Sequence, residues 1–84
     1  MAAVKVQYRG RLHDLGLPEE ENLTVNTVKD TLTHIKTTFG AEAYKAAKIM
    51  LVAVNATGIL MLKAWNTKLA DGDLVQYLPI CGGG

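Results

Sequence analysis

The sequence predicts an α+β fold in which one mixed sheet packs on one amphipathic helix. Apolar and polar residues alternate near both ends of the chain, the two-residue period of half-buried strands. Between them lies one stretch whose apolar residues fall three and four apart, the spacing of a single helical face. The chain has 84 residues, 49% of them hydrophobic. That is enough for one small core and leaves room for one domain only.

From Val4 to Arg9, Val4, Val6 and Tyr8 face one way and Lys5, Gln7 and Arg9 the other, which predicts the first strand. Gly10, Gly16 and Pro18 punctuate a polar connection, and Leu23 and Val25 give a second short strand over Asn22 to Val25, joined to the first as a hairpin. Thr27 followed by Asp30 has the pattern of a capping box. Behind it Val28, Leu32, Ile35 and Phe39 form one helical stripe, and Gly40 suits the left-handed residue that closes a helix. A shorter helical turn over Ala41 to Lys48 would place Ala43, Ala46 and Ala47 on one face. Ile49 to Asn55 is a β-rich run, Asn55-Ala56-Thr57-Gly58 a turn, and Ile59 to Leu62 the returning strand. Asp71-Gly72-Asp73 turns the chain into a last strand, Leu74 to Ile80, with Val75 and Tyr77 on one side and Gln76 on the other.

The resulting order is β-β-α-β-β-β, with room for helical insertions. A mixed sheet wrapped around the helix, the β-grasp arrangement, covers the single apolar stripe with the fewest elements. An open α+β sandwich of another strand order would use the same elements.

Charge and composition exclude several classes of function. Nine Lys and Arg against eight Asp and Glu leave a net charge of +1, so the field that draws a protein onto nucleic acid is missing. Cys81 is the only cysteine and cannot form an internal disulfide, which suits a reducing, cytoplasmic compartment. The longest apolar run, Ile49 to Val54, falls far short of the ~20 residues that span a bilayer, and the N-terminus has no signal pattern. No membrane partner is expected. His13 and His34 have no ligand-type spacing to each other or to Cys81, so no metal site is indicated, and both are expected at the solvated surface. No glycine-rich loop opens a helix to cradle phosphate, and no nucleophile, base and orienting acid fall into a catalytic pattern. No bound cofactor and no catalytic residue are therefore expected. Glu19-Glu20-Glu21 reads as a solvated turn.

The informative segment is the last one. Residues 1–80 are expected to form the folded domain and residues 81–84 a flexible glycine tail. Gly82, Gly83 and Gly84 add no packing and cost conformational entropy whenever they are ordered. They could be an inert tail. They also suit an arm without Cβ atoms that enters a narrow tunnel and presents its carboxylate to another enzyme, reaching about 13–14 Å beyond the sheet when extended. Leu78, Pro79 and Ile80 stand at the root of this arm, where a small core can least easily cover them, and are expected to dock a partner.

The segment Leu69 to Gly84, LADGDLVQYLPICGGG, resembles the C-terminus of the ubiquitin-like sulfur-carrier family, which includes the small subunit of molybdopterin synthase and the thiamine-pathway sulfur carrier. The Asp71-Gly72-Asp73 turn, the Val75 and Tyr77 alternation, Leu78-Pro79 and Gly83-Gly84 match that family's pattern in order. The resemblance implies a ubiquitin-like β-grasp fold and a cycle of activation. An E1-like adenylating enzyme uses ATP to activate the Gly84 carboxylate, and a sulfur donor converts it to a thiocarboxylate. An acceptor synthase subunit, of the kind of the molybdopterin synthase large subunit, then takes the sulfur. In that cycle Gly84 carries the reacting atom, Gly82 and Gly83 supply access, and the protein is a co-substrate or non-catalytic subunit. The molybdopterin type is favoured over the thiamine type, although Ile80 follows Pro79 where molybdopterin-type carriers commonly have a second proline. Cys81 is either a small apolar residue or a thiol that takes part in sulfur exchange. A ubiquitin-like modifier joined to lysines through Gly84, and a plain interaction domain, are the other functions compatible with this pattern.

Overall fold

The computed structural model describes residues 1–80, and Cys81 to Gly84 lie outside the described residues. The chain runs β1 (Ala2–Tyr8), α1 (Arg11–Asp14), β2 (Glu20–Val25), α2 (Val28–Phe39), α3 (Ala41–Lys48), β3 (Leu51–Val54), β4 (Thr57–Gly58) and β5 (Leu74–Leu78). Two short 3-10 turns, Ile59–Met61 and Ala64–Asn66, lie between β4 and β5. The sheet order is β2-β1-β5-β3-β4. β1 and β5 pair in parallel at its centre, with Tyr8 opposite Tyr77, and the other neighbours are antiparallel. This is the mixed sheet of the β-grasp arrangement.

Period-2 alternation decides which side of β1 and β5 is buried, while β3 is covered on both sides from Val52 to Val54. Val4, Val6, Tyr8, Val52, Val54, Val75 and Tyr77 form one cluster with Val28, Leu32 and Ile35 of α2 and Ala43 and Ala47 of α3. α2 begins as its sequence predicts. The Asp30 amide donates to Thr27 Oγ1 at 3.4 Å, while Asp30 Oδ2 accepts from the amides of Asn26 and Thr27 at 2.9 and 3.0 Å. Gly40, at φ +101°, ends α2 and starts α3. No side chain caps α3 at that end; its two buried alanines allow close packing on the core, and that packing holds it in place of a cap.

Several expectations need correction. The connection between β1 and β2 contains the short helix α1, held by the buried side chains of Leu12 and Leu17. Glu20 and Glu21 are not in a turn but in β2, where Glu20 pairs with Lys5 at 3.2 Å. Residues 59–62 do not form a strand. β4 is only Thr57–Gly58, and the chain then winds into a 3-10 turn that buries Ile59 and exposes Leu60 and Met61. The alternation needed for a half-buried strand was missing from this all-apolar run. β3 starts at Leu51, since Ile49 caps α3, and β5 ends at Leu78.

His13 is exposed as expected, but His34 is not a free surface group. Its Nε2 lies 2.9 Å from Glu21 Oε1, which also accepts the Tyr8 hydroxyl at 2.8 Å, so the three side chains tie α2, β2 and β1 together. Thr31, fully buried, donates to the Val28 carbonyl at 2.7 Å and lies 2.7 Å from the Tyr77 hydroxyl. Among the described residues no buried side-chain nitrogen or oxygen lacks a hydrogen-bond partner.

Candidate functional site: the apolar surface at the root of the tail

β5 delivers the chain to one end of the sheet. Its odd residues Val75 and Tyr77 point into the core, so Leu74, Gln76 and Leu78 point to the other side. Leu78 is half-buried there, directly across the antiparallel pair from Leu51, which is 46% exposed. Pro79 follows, and having no amide hydrogen it cannot extend the ladder. Pro79 is exposed and its ring lies against Gly10. Ile80 is 70% exposed.

The structure surrounds Ile80 with apolar groups from elements distant in sequence. A cleft of about 510 Å³ lies on one side, where Arg11, Lys45, Ala46 and Ile49 face Pro79 and Ile80. A second cleft of about 290 Å³ is lined by Ile49, Leu51, Leu60, Trp65 and the same Ile80. Ile49 and Leu60, which line the second cleft with Ile80, are 75% and 84% exposed. Single exposed apolar residues need no explanation, but a contiguous group of this kind is a candidate binding surface. Arg11 and Lys45 place cations at its margin beside Glu42.

Of the residues singled out in the sequence, Leu78, Pro79 and Ile80 thus stand together at the tail root, and Gly82, Gly83 and Gly84 lie outside the described residues, as does Cys81. Sequence reasoning missed Ile49, Leu60 and Met61. Ile49 opens the run Ile49 to Val54 and looks like the interior of a strand, while Leu60-Met61-Leu62 looks like buried strand for the same reason. Among the described residues that line this surface, no acid, base and nucleophile are brought together. Among the described residues no three His, Cys, Asp or Glu side chains are grouped to hold a metal ion, and no helix is long and apolar enough to cross a membrane.

No protein-family model and no curated protein sequence matches the chain. Solved structures do. The small archaeal modifier protein 1 from Methanosarcina acetivorans superposes with a TM-score of 0.76 at 24% identity, covering 100% of this chain and 98% of that one. Subunit 1 or 2 in a complex of the two subunits of molybdopterin-converting factor from Helicobacter pylori gives a TM-score of 0.68 at 24% identity, covering 98% and 99%. Urm1 from Trypanosoma brucei gives 0.69 at 20% identity, covering 98% and 95%. The ubiquitin-like β-grasp fold extends over essentially the whole length of each chain.

Proposed function

We propose that the protein is a sulfur carrier whose Gly84 carboxylate is adenylated and then converted to a thiocarboxylate, of the type that serves molybdopterin synthesis. The observation that carries this reading is the joining of two features in one place. On a ubiquitin-like fold, β5 ends beside an exposed apolar surface that includes Ile80, and the sequence continues from there as Cys81-Gly82-Gly83-Gly84. The likeness to a molybdopterin-converting-factor subunit that is found in complex with its partner subunit supports the choice of acceptor.

The chemistry needs little from this chain beyond delivery. A carboxylate is a poor electrophile and must gain a leaving group before sulfur can attack. A Gly84 carboxylate oxygen attacks the α-phosphorus of ATP on the activating enzyme, pyrophosphate leaves, and an acyl-adenylate results. Hydrosulfide released by the donor then attacks the acyl carbon, the acyl–phosphate bond breaks with AMP leaving, and loss of the sulfur's proton to solvent gives the thiocarboxylate. Gly84 supplies the reacting carbon, Gly82 and Gly83 keep the approach narrow, and Leu78, Pro79 and Ile80 with Ile49 and Leu60 dock the partner. ATP belongs to the activating enzyme. The likeness to an archaeal modifier protein favours a second reading, in which the same adenylate is passed to lysine amines of other proteins.

Removal of Gly84, or its conversion to the amide, is expected to abolish ATP–pyrophosphate exchange by the adenylating partner while circular dichroism stays unchanged. Undiminished exchange with the shortened protein would refute the assignment. Intact-mass analysis of protein from its source separates the two readings. A mass gain equal to one oxygen replaced by sulfur supports the carrier, and adducts on other proteins support the modifier.

A further inference from the structure

Gly10 is held at φ +58° and ψ −127°, a combination that residues with a side chain rarely adopt. It follows the last rung between β1 and β5, where the Arg9 amide donates to the Tyr77 carbonyl at 3.1 Å. A Cβ placed on Gly10 would stand 3.1 Å from Pro79 Cβ, 3.4 Å from its Cγ and 3.5 Å from its Cδ. The proline ring therefore rests on the bare backbone of residue 10. Gly16, Gly40 and Gly72 also have positive φ, yet a Cβ at any of them would meet nothing within 4 Å. Those three positions need glycine for backbone conformation alone, whereas Gly10 needs it for conformation and for contact.

The contact sits at a decisive place. Pro79 is the first residue past β5, and its φ is locked by its ring. Seating that ring sets the direction of the next residue, and Ile80 lines both clefts alongside Ile49 and Met50 at the junction of α3 and β3. We propose that Gly10 is a positioning residue, which by seating Pro79 holds Ile80 along the α3–β3 side of the molecule. This role rests on the proposed carrier function, because an aimed tail matters only if its end must enter another enzyme. A displacement of about 1 Å in a reacting group can cost a hundredfold in rate, so a seat of this kind is worth keeping even though it restricts position 10 to glycine.

Methyl NOE spectroscopy tests the aim without using activity. The wild-type protein and the Gly16→Ala variant, which strains the backbone without touching a neighbour, are expected to show contacts from Ile80 methyls to those of Ile49 and Met50. Gly10→Ala is expected to lose them. Should Gly10→Ala fail to fold, Pro79→Gly removes the ring from the other side of the contact and is expected to lose them as well. Contacts that persist in either folded variant would overturn the proposal. In pyrophosphate exchange, Gly10→Ala is expected to lower kcat/KM about tenfold relative to Gly16→Ala, and to have no further effect in the Pro79→Gly background. Equal losses in both backgrounds would show that Gly10 acts independently of Pro79, against the proposal. If the wild-type protein supports no exchange at all, the carrier function fails while the NOE result still decides whether Gly10 aims the chain.

Discussion

Thr31 has one hydroxyl proton, and it is directed to the Val28 carbonyl at 2.7 Å. The Tyr77 hydroxyl, 2.7 Å from the same oxygen, must then be the donor in their contact. Burial pushes the Tyr77 phenol well above its ordinary value. Burial also raises Tyr8, and the hydrogen bond to the Glu21 carboxylate raises it further. Both folded-state values exceed the unfolded value near 10, so the unfolded chain releases these protons first as pH rises. The stability they contribute is complete below about pH 10 and is lost progressively as pH rises above it. Chemical denaturation between neutral and strongly alkaline pH is expected to show a plateau followed by this fall, with tyrosinate absorbance from Tyr8 and Tyr77 appearing together with unfolding. Ionisation of both in a protein that keeps its native circular dichroism would contradict the assignment.

At the scale of elements, the two halves of the α2 cap are unequal. Asp30 Oδ2 accepts two amides at 2.9 and 3.0 Å, while Thr27 Oγ1 accepts one at 3.4 Å. Bonds to an ionised group are the stronger ones, so Asp30→Ala is expected to cost about 1–2 kcal/mol and Thr27→Ala less than about 1 kcal/mol. Urea denaturation measures both, and the reverse ranking would show that the threonine carries the cap. The β3–β4 hairpin turns through Asn55 and Ala56, both at positive φ, 50° and 72°. Asn55 suits its place, since its side chain donates to Asp73 and accepts the Leu74 amide, each at 2.9 Å. Ala56 has no such compensation among the described contacts, and an alanine in this region costs about 1 kcal/mol relative to glycine. Ala56→Gly is expected to raise stability by about that amount in the same denaturation assay, and no gain would mean that the turn relaxes when glycine is introduced. The capping box was legible because it is four consecutive residues with a fixed geometry. The turn was legible as a turn, but its extent was not, since Thr57-Gly58 pairs with β3 as β4 and leaves only Asn55-Ala56 at the bend.

Across the whole molecule, the apolar surface around Ile80 draws on α3, β3, the 3-10 turn after β4 and the segment that follows β5. Leu60 is 84% exposed and contributes little to the core, so Leu60→Glu is expected to change stability by less than about 0.5 kcal/mol. A charge there would nonetheless be buried against any partner seated on the tail root, and affinity for the adenylating enzyme is expected to fall by more than about 1 kcal/mol. Titration calorimetry with the folded variant checks this; unchanged affinity would move the docking surface away from this turn.

β1, β2, β3, β5 and α2 were readable from residues next to one another, because strand alternation, helical spacing and capping are local properties of the chain. The mixed sheet followed from the count of elements and the need to cover one apolar stripe. What folding alone decided is which distant residues meet. The parallel pairing of β1 with β5 brings Gly10 under Pro79, and nothing in either neighbourhood announces the contact. The short helix α1 carries no stripe of its own and exists because Leu12 and Leu17 reach the core. Exposure of Ile49, Leu60 and Met61 depends on where α3 ends and how the chain winds after Gly58, which is set by packing against the rest of the molecule. An apolar side chain carries the same hydrophobicity in a core and on a docking surface; only the arrangement of its neighbours determines whether it is covered.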